Sequence, residues 1–319
     1  MTEGQWTVVV TNAPAVLFQT PDHVRRKVEG LREVLRAGEG AEGDVAVAKT
    51  IRARPEVLHL STENLQAKRH ALEDIVGGLL GDVRERAGVS GGGEGAAGAG
   101  EGAGRKQRGG SRAHWAKAGA SVEGVATKMI GTAPALLTGR EETVEGRLGE
   151  LMDLMAGRVG RACVAGTIMS CPHLVSRCDI EVVELKWRVL VRACERNEGW
   201  GGWLDSGPAG SLGIVLMSDV KRIAVLLVIV DLAEEWEAGA VSEVREEEAA
   251  VREAAVRLMR RAPSTLVDMP MPWKKQQGGQ KKPRKSRKQK SVLEVEGVDV
   301  EAFWRVVKPR AEAYATAAQ

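Results

Sequence analysis

Three basic residues each stand thirteen positions after a proline: Lys27 after Pro14, Lys68 after Pro55 and Arg147 after Pro134. After Pro172 that place holds Leu185, with Lys186 one step on. A cation recurring at one point of successive units can follow a phosphate backbone, one contact per unit. Arg26 and Arg69 flank the same surface. These six residues are the candidate nucleic-acid contacts. The plainer account is that they are solvated side chains on an exposed helix face. A second cationic feature is the run of Lys274, Lys275, Lys281, Lys282, Arg284, Lys285, Arg287, Lys288 and Lys290, with no acid among residues 274–290. No aromatic lies between Lys275 and Lys290, so base stacking is not its mode. It supports sequence-blind attraction at most, as a nucleic-acid arm, a nuclear import signal or a solubilising linker.

Catalysis has little support. The five histidines, His23, His59, His70, His114 and His173, fall in no nucleophile or metal pattern. The H-E-x-x-H and G-x-S-x-G signatures are absent. Cys171 and His173 are too close in sequence for a nucleophile and its base, which come from distant segments. Cys163, Cys171, Cys178 and Cys194 form no C-x-x-C pair, and read as small packing residues rather than a disulfide framework or zinc site. Gly207 to Gly210 lacks the following G-K-[ST] of a phosphate loop. Trp200, Trp203 and Trp236 could stack on bases, but read more simply as anchors for loops. No cofactor is expected.

These side chains need a scaffold, and composition bounds it. Hydrophobic residues make up 43% of the 319 positions but aromatics only 3%, so the core must be aliphatic. The net charge of +3 is uneven: without the nine cations of residues 274–290 it becomes −6. The body is therefore mildly acidic, unlike a uniformly basic nucleic-acid binder. The most apolar run, Ile223 to Val230, is far short of the roughly 20 residues a membrane span needs. It reads as a buried helix, and no membrane association is expected. The start, Met1-Thr2-Glu3-Gly4, carries neither a secretory signal nor an Arg/Ser-rich presequence.

Five prolines share one context: Pro14 to Leu17, Pro55 to Leu58, Pro134 to Leu137, Pro172 to Val175 and Pro263 to Leu266. Four residues before each is Val10, Ile51, Ile130, Ile168 or Met259. Eight before, the last four have Val47, Ala126, Val164 and Ala255. That spacing is a helix stripe. Downstream, Val24, Leu65, Val144 and Val182 stand at ten, and Leu31, Leu72, Leu151 and Val189 at seventeen. At fourteen stand Val28 and Leu148, but also Arg69 and Lys186. These offsets describe one face of a second helix. Thr20, Ser61, Thr62, Thr138 and Asp179 precede it as cap signals. Proline ends the first helix, and the Leu three residues on plugs the seam. Neither helix buries its stripe alone, so units must stack.

The expected fold is therefore all-α, a right-handed-type helical-repeat solenoid with disordered insertions. Repeats occupy 1–87 and 113–269. A Gly-rich insertion fills 88–112, an irregular Gly/Trp stretch lies near 197–213, and an acidic segment with eight Glu spans 234–253. Leu212 to Leu232 reads as part of a degenerate unit. A basic linker covers 270–292, and a last helix of about Val300 to Ala317 closes 293–319.

The units resemble those of the mitochondrial transcription termination factor (mTERF) family. The stretch from Ala53 to Lys68 carries the resemblance best. Thr11 to Leu31 and Gly131 to Leu151 follow the same plan: an apolar helix ending at Pro, two residues, Leu, a polar cap, then a helix with a basic residue and spaced leucines. The resemblance implies a monomeric all-helical solenoid that binds double-stranded DNA or RNA along a basic groove. It implies a role in mitochondria or chloroplasts, in transcription termination or regulation or in RNA processing, beside other organellar proteins. It implies no enzymatic activity. The competing reading of the residues is a protein-interaction solenoid of the armadillo or HEAT kind, whose mildly acidic body suits a basic protein partner.

Overall fold

The structure is a computed structural model that describes residues 7, 10–11, 13–37, 40–89, 120–239, 246–267, 292–295, 297 and 299–317. The basic run 274–290 and most of the Gly-rich segment 88–112 lie outside the described residues. Among the described residues every regular element is helical. Contacts divide the chain into two bodies, Met1–Ile180 and Glu181–Gln319. The division falls inside the stretch 113–269 that the sequence reading kept together.

In the first body the long helices are α1 (Pro21–Val34), α2 (Ala41–Ala53), α3 (Thr62–Val89), α4 (Val122–Thr132), α5 (Glu141–Val159) and α6 (Arg161–Ser170). Short turn helices stand between them at Pro14–Phe18, Pro55–His59, Ala135–Thr138 and His173–Ser176. One order of elements therefore recurs: an incoming helix, a turn helix at the proline, and an outgoing helix. Proline starts or immediately precedes each turn, where its missing N–H costs nothing. Thr20 and Ser121 cap α1 and α4 by accepting from the His23 and Gly124 amides. The stripes are buried as the spacing requires: Val47, Ile51, Ala126, Ile130, Val164 and Ile168 are at most 3% exposed. α3 is the central element of this body, packing against α1, α4 and α6.

The plug position is buried at Leu58, Leu137, Val175 and Leu266, but not at Leu17. Leu17 is 66% exposed, and within its turn helix Val16 is the residue turned inward. Expecting all five plugs to fill a seam is therefore corrected at the first.

In the second body the longer helices are α7 (Ile180–Glu195, whose first residue closes the first body), α8 (Glu198–Asp205), α9 (Ala209–Met217), α10 (Val220–Glu237), α11 (Glu246–Leu258) and α12 (Val300–Ala317), with short helices at Pro263–Val267 and Val292–Val295. Ile223 to Val230 lies at the centre, every residue at most 3% exposed, with α11 and α12 packed on α10. No described helix is long and apolar enough to cross a membrane. Leu212 to Leu232 forms α9 and α10, joined through Ser218 and Asp219 without a proline, and Asp219 caps α10. The 197–213 stretch is helical rather than irregular. Glycine costs a helix about 1 kcal/mol each, but burying Trp200 and Leu204 outweighs it. Asn197 caps α8, and the Trp200 indole N–H donates to the Arg261 carbonyl at 2.8 Å, so Trp200 is an internal anchor. The acidic segment is also mostly helix where described, split between the end of α10 and α11.

Two exposed helix-interior glycines, Gly78 in α3 and Gly149 in α5, have open space where a Cβ would stand. Gly78→Ala and Gly149→Ala are each expected to stabilise by about 0.4–1 kcal/mol, by restricting the unfolded chain. Thermal melts of the single and double variants check this; a lowered Tm would mean that the space is filled.

Candidate functional site

The recurring cations do not stand free. Lys27 donates through Nζ to the Leu60 carbonyl, just past the turn helix of the next unit. Lys68 donates to the carbonyl of Gly139, the residue whose N–H caps the turn helix Ala135–Thr138. Arg147 reaches the Val175 carbonyl at 3.4 Å, and Lys186 the Leu216 carbonyl at 3.0 Å. Lys27, Lys68 and Arg147 are half-buried, and Lys186 is buried. A carbonyl that has lost its water and meets a cationic donor makes a bond of about 1.5–3 kcal/mol.

Arg69 is buried too, at 4% exposure. Its Nε pairs with Glu73 at 2.8 Å, one terminal nitrogen donates to the Val34 carbonyl that ends α1, and the other reaches the Thr127 hydroxyl of α4 at 3.0 Å. Arg36 joins this cluster by pairing with Glu73 and Glu123. A phosphate reaches neither Arg69 nor Lys186 without opening the packing around them. Of the six expected contacts, Arg26 alone is exposed.

Sequence reasoning passed over other exposed cations. Lys49 and Lys128 occupy one place on successive incoming helices, six residues before Pro55 and Pro134, and both are exposed. Arg52, one turn after Lys49, is exposed as well. The signal was available: the six-before offset falls off the apolar stripe at four and eight. The outgoing helix α5 instead exposes acids, namely Glu141, Glu142, Glu145, Glu150 and Asp153.

Two clefts have charged walls. One, of about 900 Å³, lies between α3 and the start of α5 and is lined by Asn64, Lys68, Arg140, Glu141, Glu142 and Thr143. The other, of about 520 Å³, is in the second body. There Arg196 bridges Asp231 at 2.7 Å and Glu234 at 2.5 Å, Arg310 pairs with Glu235 at 2.7 Å, and the Tyr314 hydroxyl donates to Asp231. Hydrogen bonding to Glu234 holds the Arg196 guanidinium more firmly protonated, and the bond to Asp231 raises the Tyr314 phenol. These charges satisfy one another and tie α10 to α12.

Cys163 and Cys194 are buried, and burial pushes the Cys163 and Cys171 thiols up. Raised thiols are poor nucleophiles and poor metal ligands at neutral pH. His173 is shifted down by burial. Among the described residues no cluster of His, Cys, Asp or Glu could hold a metal ion. Comparison with protein-family models, with curated proteins and with solved structures finds no match to this chain.

Proposed function

We propose that the chain is a helical-repeat solenoid that binds nucleic acid in organelle gene expression, without catalysis. The observation that carries the repeat reading is the succession of incoming helix, proline turn and outgoing helix. The outgoing helices that follow Pro14, Pro55, Pro134 and Pro172 each carry a cation that reaches the following unit. The ligand class rests on the resemblance of these units to mTERF repeats. The proposed contact surface is the exposed face of the incoming helices, with Lys49, Arg52 and Lys128, rather than the half-buried cations thirteen after the proline.

A protein-interaction solenoid is the second reading, favoured by the exposed acids of α5. One experiment separates the two. Binding to mixed-sequence duplex DNA, duplex RNA and single-stranded RNA is measured across a salt series with the full chain and with the variant K49E/R52E/K128E. If three phosphate contacts are lost, the slope of log affinity against log salt falls by about 2–3 units. A parent that binds none of the three nucleic acids would sink this reading and leave the protein partner. A variant that binds like the parent would sink only the choice of face.

A further inference from the structure

A turn helix of four or five residues leaves its last carbonyls without donors from its own chain direction. Its negative end points the same way. In this protein that end is met from outside. Lys27 reaches Leu60 beyond Pro55–His59, Lys68 reaches Gly139 beyond Ala135–Thr138, and Arg147 reaches Val175 within His173–Ser176. In the second body Lys186 reaches Leu216 at the end of α9, and Arg222 reaches Val267, the last residue of Pro263–Val267, at 2.6 Å. Every donor belongs to the outgoing helix immediately before the acceptor.

The donors share a place. Lys27, Lys68, Arg147 and Lys186 are each the seventh residue of α1, α3, α5 and α7. Arg222 sits one turn earlier on α10. The acceptor Leu216 is the penultimate residue of α9, which runs into α10 through Ser218 and Asp219 with no proline between them, so the geometry persists where that proline is lacking. A long side chain suits the task. Its apolar stem crosses the seam between helices while its charged head reaches the carbonyl.

We propose that these five cations form a ladder that fixes the register in which each unit stacks on the next within its body. This inference does not depend on the ligand. Shape alone lets one aliphatic stripe slide against another, because apolar contact has no direction. A charged donor aimed at a single carbonyl has one. The Lys68 rung matters most, since its donor and acceptor are 71 residues apart. α4 packs on α3 and leads into Ala135–Thr138, and the Lys68 bond sets where that turn helix sits along α3.

Hydrogen–deuterium exchange of the full chain tests the ladder. In Lys68→Met, amides of residues 135–150 are expected to exchange about five- to thirtyfold faster, the factor for a loss of one to two kcal/mol. Residues 41–54 should keep the parent's rate. Lys27→Met should speed residues 55–66 and leave 135–150 alone, and Lys68→Arg should restore most protection. Parental rates at 135–150 in Lys68→Met, or equal acceleration throughout the first body, would overturn the proposal. Should Lys68→Met not fold, Lys186→Met carries the same test, with 209–219 as the responding stretch and 246–258 as the reference.

Discussion

Replacing Arg69 by alanine should destabilise the first body by about 3–5 kcal/mol, the range for leaving a buried ion pair without one partner. The guanidinium is the meeting point of three helices. It pairs with Glu73 on its own helix, closes the last carbonyl of α1 at Val34, and reaches Thr127 on α4. Its side chain is 5% exposed and that of Glu73 14%, so water cannot replace what is lost. Arg36, 3.6 Å from Glu73, should lessen the penalty without removing it. Arg69→Lys should recover little, because a single ammonium cannot span the three acceptors that a planar fork serves. The pair Arg69→Leu with Glu73→Leu should cost less than Arg69→Ala alone, since no carboxylate stripped of its nearest partner is then left in the seam. Urea unfolding followed by far-UV circular dichroism gives the comparison. A cost for Arg69→Ala under about 1 kcal/mol, the range of exposed ion pairs, would mean that the site is open to water.

Part of this was legible in the sequence. The offsets four and eight before the prolines, and seventeen after, pick out buried stripes, whereas offset ten does so at Leu65 and Val144 but not at Val24, which is half-buried, or Val182, which is 41% exposed. Ile51, Ile130, Ile168, Leu31, Leu72 and Leu151 are all at most 4% exposed. The fate of Arg69 and Lys186 was also written there, because both stand at the offset that Val28 and Leu148 occupy. A cation on an apolar stripe has to find a buried acceptor. What the spacing could not supply was the acceptor. For Arg69 it is the Val34 carbonyl, 35 residues back, beside Glu73 and Thr127, and for Lys186 the Leu216 carbonyl, 30 residues on; carbonyls leave no mark on a sequence.

The Gly/Trp stretch failed for a different reason. Its intrinsic helix propensity is poor, and burial of Trp200 against a partner 61 residues on overrode it. The cleft of Arg196, Asp231 and Tyr314 is held by bonds between residues up to 83 positions apart and has no local signature. Local periodicity thus reports which face is buried, and only the assembled body reports what that face meets.

The proline turns allow a sharper test, because one motif position has two environments. Leu58 and Leu137 are fully buried, each three residues after its proline, whereas Leu17 at the same offset is 66% exposed. Leu58→Ala and Leu137→Ala should each cost about 2–5 kcal/mol, for lost transfer energy and the cavity left behind. Leu17→Ala should stay within about 0.5 kcal/mol, as a surface change does. The difference does not come from the turn itself, since Pro14–Phe18 and Pro55–His59 are both five-residue 3-10 helices. It comes from what lies over them. Lys27 of α1 reaches across Pro55–His59, and Lys68 of α3 across Ala135–Thr138. The energetic weight of the motif therefore belongs to the junction between units rather than to the turn. Thermal or urea unfolding of the three alanine variants measures it directly. Equal costs at all three leucines would contradict the exposure of Leu17 and place a cover over the first turn. Small costs at all three would remove the junction as the source of stability.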